Sequence, residues 1–226
     1  MTDSMLVLRL LQDGDSFFPS GAVSFSWGLE TLCADGVVSS GKDLKSFVLA
    51  QLSRRWLHFD RPIIIAAAQP SVALSRLMEI DQIVEAQTLC AEFRSGSRRS
   101  GNGLLAAHVT LETEGAQEYY ELVQNGYGKG HLAPMQGYLW ARRGIPPQEA
   151  AILSAHTLCI GLLGAAVRIG VIGNTGAQKI LMAVHRDIEP MLQLLLTDFR
   201  QVHSFMPQAE IASMRHEEAD VRMFAN

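Results

Sequence analysis

Aromatic residues are scarce in this 226-residue chain, at 7%, and there are only three cysteines. Scarce aromatics beside abundant Leu, Ala and Met suit close-packed helices better than sheets, whose pleated surfaces favour aromatic and β-branched side chains. Cys33, Cys90 and Cys159 are odd in number, widely spaced and form no CxxC pair. That excludes a disulfide framework and leads us to expect a reducing, cytoplasmic setting. Positive charge is not in excess either. The net charge is −4, which argues against general nucleic-acid binding, because that needs a basic face to displace phosphate counterions. The opening residues MTDSMLVLRLLQDGDS lack a basic leader and a small-residue cleavage site, so no secretory signal is expected. What is present is 48% apolar and 19% charged, enough to bury one sizeable core.

Signatures of catalysis are missing as well. GNTGAQK (173–179) has the wrong glycine spacing for a phosphate-binding loop and ends in Lys179-Ile180, without the Ser or Thr that would hold magnesium. No GxSxG occurs, and no Cys, His and acid cluster along the chain. His216 precedes Glu217 and Glu218, but a zinc-binding HExxH needs a second His at 220, where Asp stands. His216 and Asp220 would give two ligands at most. GYGKG (126–130) reads as a glycine-rich turn whose N–H groups would also suit an anion. We therefore assign no catalytic, cofactor-binding or metal-binding residue, and expect no enzyme.

Apolar spacing is helical nearly throughout, with no alternating strand pattern, repeat or low-complexity run. The expectation is an all-α, single-domain bundle of about eight to ten helices spanning 1–226. Residues 3–12 and 24–36 read as short helices, the second ending at Gly36. Ser40 and Asp43 resemble a capping box, after which Leu44, Phe47, Val48, Leu52, Trp56 and Phe59 recur at three-to-four spacing. Asp60 before Pro62 reads as a fresh helix start, and 79–93 as a further helix. RSGSRRSGNG (94–103) is the one stretch of loop composition, and it reads as a loop or a looser helix. Thr175 reads as the cap of GAQKILMAVHRDIE, with Pro190 kinking or dividing the helix beyond it. The eighteen uncharged residues 150–167, AAILSAHTLCIGLLGAAV, sit at the lower limit for crossing a bilayer. They are rich in small residues and contain Ser154, His156 and Thr157, so a buried soluble helix is expected and no membrane.

Four segments, in order, carry a resemblance. LLQDGDSFFPSGAVSFSWGLE (10–30) is similar to the N-terminal signature of the urease accessory proteins UreF, approximately LLQLADSAFPTGGFAYSHGLE. GHLAPMQGYLWARRGI fits that family's Gly-His stretch. GLLGAAVRIGVIGNTGAQKIL (161–181) fits its NLVSAAVRLIPLGQTDGQRIL segment, and IASMRHEEADVRMF (211–224) resembles its closing IAxMRHExxxxRLF. Phe25 and Trp27 replace the family's usual Tyr and His, removing polar groups there, and Gly176 replaces an acid. The resemblance implies an all-helical, cytoplasmic homodimer that binds UreD (also called UreH) and the GTPase UreG. It would thereby serve apo-urease as a non-enzymatic scaffold for GTP-dependent nickel insertion. The readings set against it are a small helical enzyme, a helical regulator unrelated to urease, and a membrane-associated protein anchored by 150–167.

Carried onto this chain, the resemblance nominates partner-binding residues. In the first segment these are Phe18, Pro19, Gly21, Phe25, Gly28 and Glu30. Pro19 fixes a turn, Gly21 permits close backbone approach, and Phe18 and Phe25 would present aromatic surface. Fold determinant and interface remain open alternatives there. Arg168 interrupts an apolar helix and needs water, an acid or a partner. In the tail the nominees are Met214, Arg215, His216, Glu217, Arg222 and Phe224. Ile211, Met214, Val221 and Phe224 share one arc of a helical wheel with Glu217 and Glu218, an arc a buried core accepts poorly. Residues 208–226 are accordingly expected to form a C-terminal helix ordered by a partner.

Overall fold

A computed structural model describes residues 3–19, 25–216 and 224. Among them there is no strand, and the all-α expectation holds. Helix α1 (Ser4–Gly14) begins where the Asp3 carboxylate accepts the Met5 N–H at 2.9 Å. Helix α2 (Leu29–Ala34) is shorter than the spacing of 24–36 suggests, because Gly28 precedes it in the left-handed region at φ 81°. The capping box at α3 (Gly41–Gln51) forms as expected: the Asp43 N–H donates to Ser40 Oγ, and the Ser40 hydroxyl donates back to the Asp43 carboxylate at 2.7 Å.

From there the chain runs unbroken through a π-helical segment, Leu52–Asp60, into α4 (Arg61–Ala67). The start predicted at Asp60 does not occur. Asp60 stays helical and makes no cap, and its carboxylate instead pairs with Arg55, Nε to Oδ2 at 3.3 Å. Pro62 is tolerated because the wide π turn before it relaxes the usual bonding. The segment also has carbonyls to spare. His58 and Arg54 carbonyls accept the His203 and Phe205 N–H groups, each at 3.3 Å, strapping a late piece of chain along the rod.

Next come α5 (Leu74–Gln87) and α6 (Ala91–Thr110). Helix α6 decides between the two readings of 94–103 in favour of helix, since RSGSRRSGNG lies wholly inside it. Its small residues are notches. A side chain at Gly96 would overlap the Phe25 ring, and one at Gly101 would strike the Gly130 carbonyl and lie 2.6 Å from the His131 carbonyl carbon. The propensity lost to each glycine, about 1 kcal/mol, is offset by the close helix approach it allows. Helices α7 (Ala116–Gln124), α8 (Leu132–Arg142), α9 (Pro147–Ile169), α10 (Asn174–Leu192) and α11 (Pro207–His216) complete the order. Thr175 lies within α10, and Gly173 precedes the helix without a side-chain cap. Pro190 sits inside the last turn of α10, so it neither kinks nor divides the body of the helix.

The core has two lobes joined by the rod of α3, the π segment and α4. Leu44, Leu52 and Trp56 face α9 and α10 in one, while Phe59, Ile63 and Ile64 face α5, α6 and α8 in the other. Helix α9 serves both, and the Trp56 indole donates to Ser154 Oγ at 2.9 Å. Helix α9 is long and apolar enough to cross a bilayer, with mean hydropathy 1.9, but 56% of that window is buried inside the protein. Its Cys159 is sealed in, and burial pushes the thiol up to about 12.

Candidate functional site

The two terminal segments nominated by the sequence meet at one corner. Gly28 is buried against α11: an added Cβ would fall 2.5 Å from the Ala209 carbonyl oxygen. Glu30, in the first turn of α2, accepts the Phe224 N–H at 3.2 Å. The Arg168 guanidinium at the end of α9 lies 4.5 Å over the Phe224 ring. Arg215 makes a two-pronged pair with Asp35, 2.6 and 3.3 Å, and that bond raises its already high pKa. Burial lowers the pKa of Arg168. Beside Glu30, Cys33 is pushed up to about 11, by burial and then by the Glu30 charge.

Helix α11 therefore has two faces. Ala209, Ala212 and Ser213 are buried against the fold, whereas Ile211 and Met214 remain about half exposed. The predicted arc splits, because Phe224 is buried while Ile211 and Met214 look outward. Gly21, Glu217 and Arg222, together with Val221, Glu218 and the side chain of His216, fall outside the described residues.

The aromatic surface expected at the N-terminal turn is carried by other residues. Phe18 and Phe25 are buried, and neither presents its ring to solvent. Phe18 packs its ring 5.4 Å from His108. Phe25 fills the Gly96 notch of α6 beside Trp27. Pro19 is exposed, and Phe17 is 92% exposed, at the lip of a cleft of about 560 Å³ formed with α6 residues Ala106, Ala107 and Thr110. Trp27, where the signature has His, adopts φ 54° and lies edge-on to Phe93 under the Arg55 guanidinium.

The glycine-rich turn 126–130 does hold an anion, but an internal one. Asp81 of α5 is fully buried; its Oδ2 accepts the Lys129 N–H (2.6 Å), the Gly130 N–H (2.8 Å) and the Tyr119 hydroxyl (2.8 Å). Its Oδ1 accepts the His131 N–H at 2.9 Å. The His131 ring lies 2.8 Å from Glu85 through Nε2 and 3.0 Å from Ser97 Oγ through Nδ1. Ser97 Oγ also accepts the Leu132 N–H, which places the imidazole proton on Nε2 toward Glu85. Burial lowers the His131 pKa and keeps the ring neutral. Burial alone would raise Glu85, but its bonds from Arg98 and His131 outweigh that and hold it below the usual carboxylate range.

This polar node is structural. It orients α8, whose Gly137 lies against the Ile64 carbonyl of α4, and it offers no free nucleophile or base. Among the described residues, no three His, Cys, Asp or Glu side chains converge on one point.

The sequence model of the UreF family matches residues 38–185, well over half the chain. The chain belongs to the UreF family. A urease accessory protein UreF of Yersinia enterocolitica serotype O:8 is 30% identical over 225 residues, covering 97% of this chain and 98% of that one. The UreF of Yersinia pseudotuberculosis serotype IB is 29% identical over the same extent. The accessory role in urease maturation follows from that membership.

For a UreF family member, the corner of α2, α9 and α11 is notable because the matched model stops at 185 and starts at 38. The corner is built largely from the flanks, with Gly28, Glu30 and Asp35 on one side and Ala209, Arg215 and Phe224 on the other. Sequence reasoning missed Phe17, the Asp81–His131 node, and a pair of facing histidines on α9 and α10. Phe17 and Phe18 are adjacent in FFP, and which ring faces inward depends on where α1 ends, information no periodicity supplies.

Proposed function

We propose that this chain is a non-enzymatic, cytoplasmic, homodimeric scaffold that bridges UreD (UreH) and the GTPase UreG during GTP-dependent nickel insertion into apo-urease. The observation that carries the reading is the division of labour on α11. The helix spends Ala209, Ala212 and Ser213 on its own fold and leaves Ile211 and Met214 exposed beside the Arg215–Asp35 pair. Exposed apolar side chains ringed by charge suit a protein partner, and fully burying each is worth roughly 1.5–3 kcal/mol. Rigid docking of the inner face lowers the ordering cost of presenting the outer one.

Replacing Ile211 and Met214 together by Ser tests this. Both lie on the solvent side, so the melting temperature should stay within about 2 °C of wild type, since surface changes typically cost under about 0.5 kcal/mol. Co-purification with UreD should fall by at least tenfold. Undiminished capture of UreD by the folded double variant would refute the assignment of this face.

A further inference from the structure

We propose that His156 of α9 and His185 of α10 form a low-affinity, exchangeable site for a first-row divalent transition-metal ion. The proposal goes beyond the scaffold reading and stands whether or not that reading holds.

The two rings face each other across the α9–α10 seam, with His156 Nδ1 3.2 Å from His185 Nε2 and ring centroids 5.3 Å apart. They line a cavity of about 300 Å³ whose other walls are Ile152, Ile188, Leu192 and Glu189. The separation of the nitrogens is the decisive quantity. An ion bonded to both at about 2.1 Å, with the nitrogens 3.2 Å apart, subtends an angle of about 100°. That lies between the octahedral and tetrahedral values of about 90° and 109° that first-row ions favour. The backbone therefore already holds two imidazoles at chelating distance, and only ring rotation is needed to converge both lone pairs.

Proton balance poses no obstacle. In the empty pair one ring donates its N–H to the other ring's lone pair. On binding, the donor moves its proton to its outer nitrogen, leaving two neutral imidazoles with inward lone pairs and no net proton released.

Other described histidines are committed elsewhere. His58 and His203 stack at an interplanar angle of 15°, a face-to-face arrangement that cannot chelate. His131 uses both ring nitrogens on Glu85 and Ser97. His108 is fully buried, with Thr113 on Nδ1 and the Asp13 carboxylate 3.7 Å from Nε2. Glu189, one helical turn beyond His185, supplies the nearest carboxylate at the cavity wall. Because no third ligand has converged, water completes the coordination and the ion exchanges readily.

The test titrates the full-length chain, in separate runs, with zinc, nickel and copper(II) salts by calorimetry in a non-chelating buffer. One ion per chain is expected for at least one metal. His185→Gln, at an exposed position, should weaken it by at least tenfold, His156→Gln similarly, and the control His58→Gln should leave it unchanged. Circular dichroism verifies folding, and should His156→Gln unfold, His185→Gln decides alone. Absence of binding by all three metals overturns the proposal, as does wild-type affinity in folded His185→Gln.

Discussion

Replacing Asp81 by Asn changes almost no volume and removes only charge and one acceptor, so it isolates the polar node beneath α8. Wild-type Asp81 accepts four buried hydrogen bonds. The best orientation for Asn keeps its carbonyl oxygen on Tyr119, Lys129 and Gly130 and turns its NH₂ toward the His131 N–H. Donor then meets donor, and a stranded buried N–H costs about 1–3 kcal/mol. The three bonds that remain lose their charge assistance, about half their strength, which adds roughly 2–3 kcal/mol. Relief from burying a charge offsets part of this, leaving a net loss of about 2–5 kcal/mol. For a chain of this size that lowers the melting temperature by roughly 4–20 °C. Thermal unfolding followed by circular dichroism reads the shift, with Tyr119→Phe, which loses one bond, as an internal scale of about 2–4 °C. Amide exchange at Lys129, Gly130 and His131 should quicken in parallel. If Asp81→Asn melts within 2 °C of wild type, or less than Tyr119→Phe, the carboxylate does not organise this turn.

Gly28→Ala forces an L side chain into φ 81° and against the Ala209 carbonyl, so it should cost at least about 2 kcal/mol. Limited proteolysis should then cut preferentially near the start of α11; wild-type protection would contradict the docking described. The pH dependence draws on two buried groups that face each other, His108 Nε2 lying 3.7 Å from Asp13 Oδ1, with Arg143 beside both. Burial, then Arg143, lowers His108 from 6.5 to about 4; it contributes stability above pH 6.5 that is lost as pH falls toward 4, on the order of 3 kcal/mol. Burial raises Asp13 to about 6 against the pull of Arg143, so it contributes in the opposite sense, with stability lost as pH rises from 3.8 to 6. The two trends largely cancel in the wild type. Asp13→Asn should therefore expose a steeper acid-side loss in urea midpoints between pH 6.5 and 4, and parallel curves for the two proteins would refute this. The purified chain should hydrolyse no GTP; turnover that survives repurification and is abolished by a point substitution would overturn the non-enzymatic reading.

The helices were readable wherever packing follows spacing, as in Leu44 through Phe59, because a helix that buries one face repeats apolar residues at three-to-four intervals. Reading failed where one residue serves a distant neighbour. RSGSRRSGNG has loop composition, yet Gly96 and Gly101 are small because the Phe25 ring and the Gly130 carbonyl press against them. Asp60 looks like a cap, but a cap works only if the chain leaves the helix there, and Asp60 lies in continuous helix. Thr175 falls two residues late, because the chain enters α10 at Gly173. Asp81 and His131 are fifty positions apart, and nothing local announces that an acid on α5 will gather the N–H groups of a turn before α8. At the candidate site, each terminal motif stands out by itself, but nothing in either announces that the two ends meet. Which side chains face solvent there depends on how α11 rolls onto Gly28, which is set by tertiary contact with Ala209.

Bridging is the central claim, and it is measured by mixing purified UreG and UreD with and without this chain and determining complex mass by light scattering after gel filtration. The account predicts that UreG enters a complex with UreD only when this chain is present, and that the Ile211→Ser, Met214→Ser double variant fails to bring it in. Equal recruitment of UreG by UreD in the chain's absence would contradict the account.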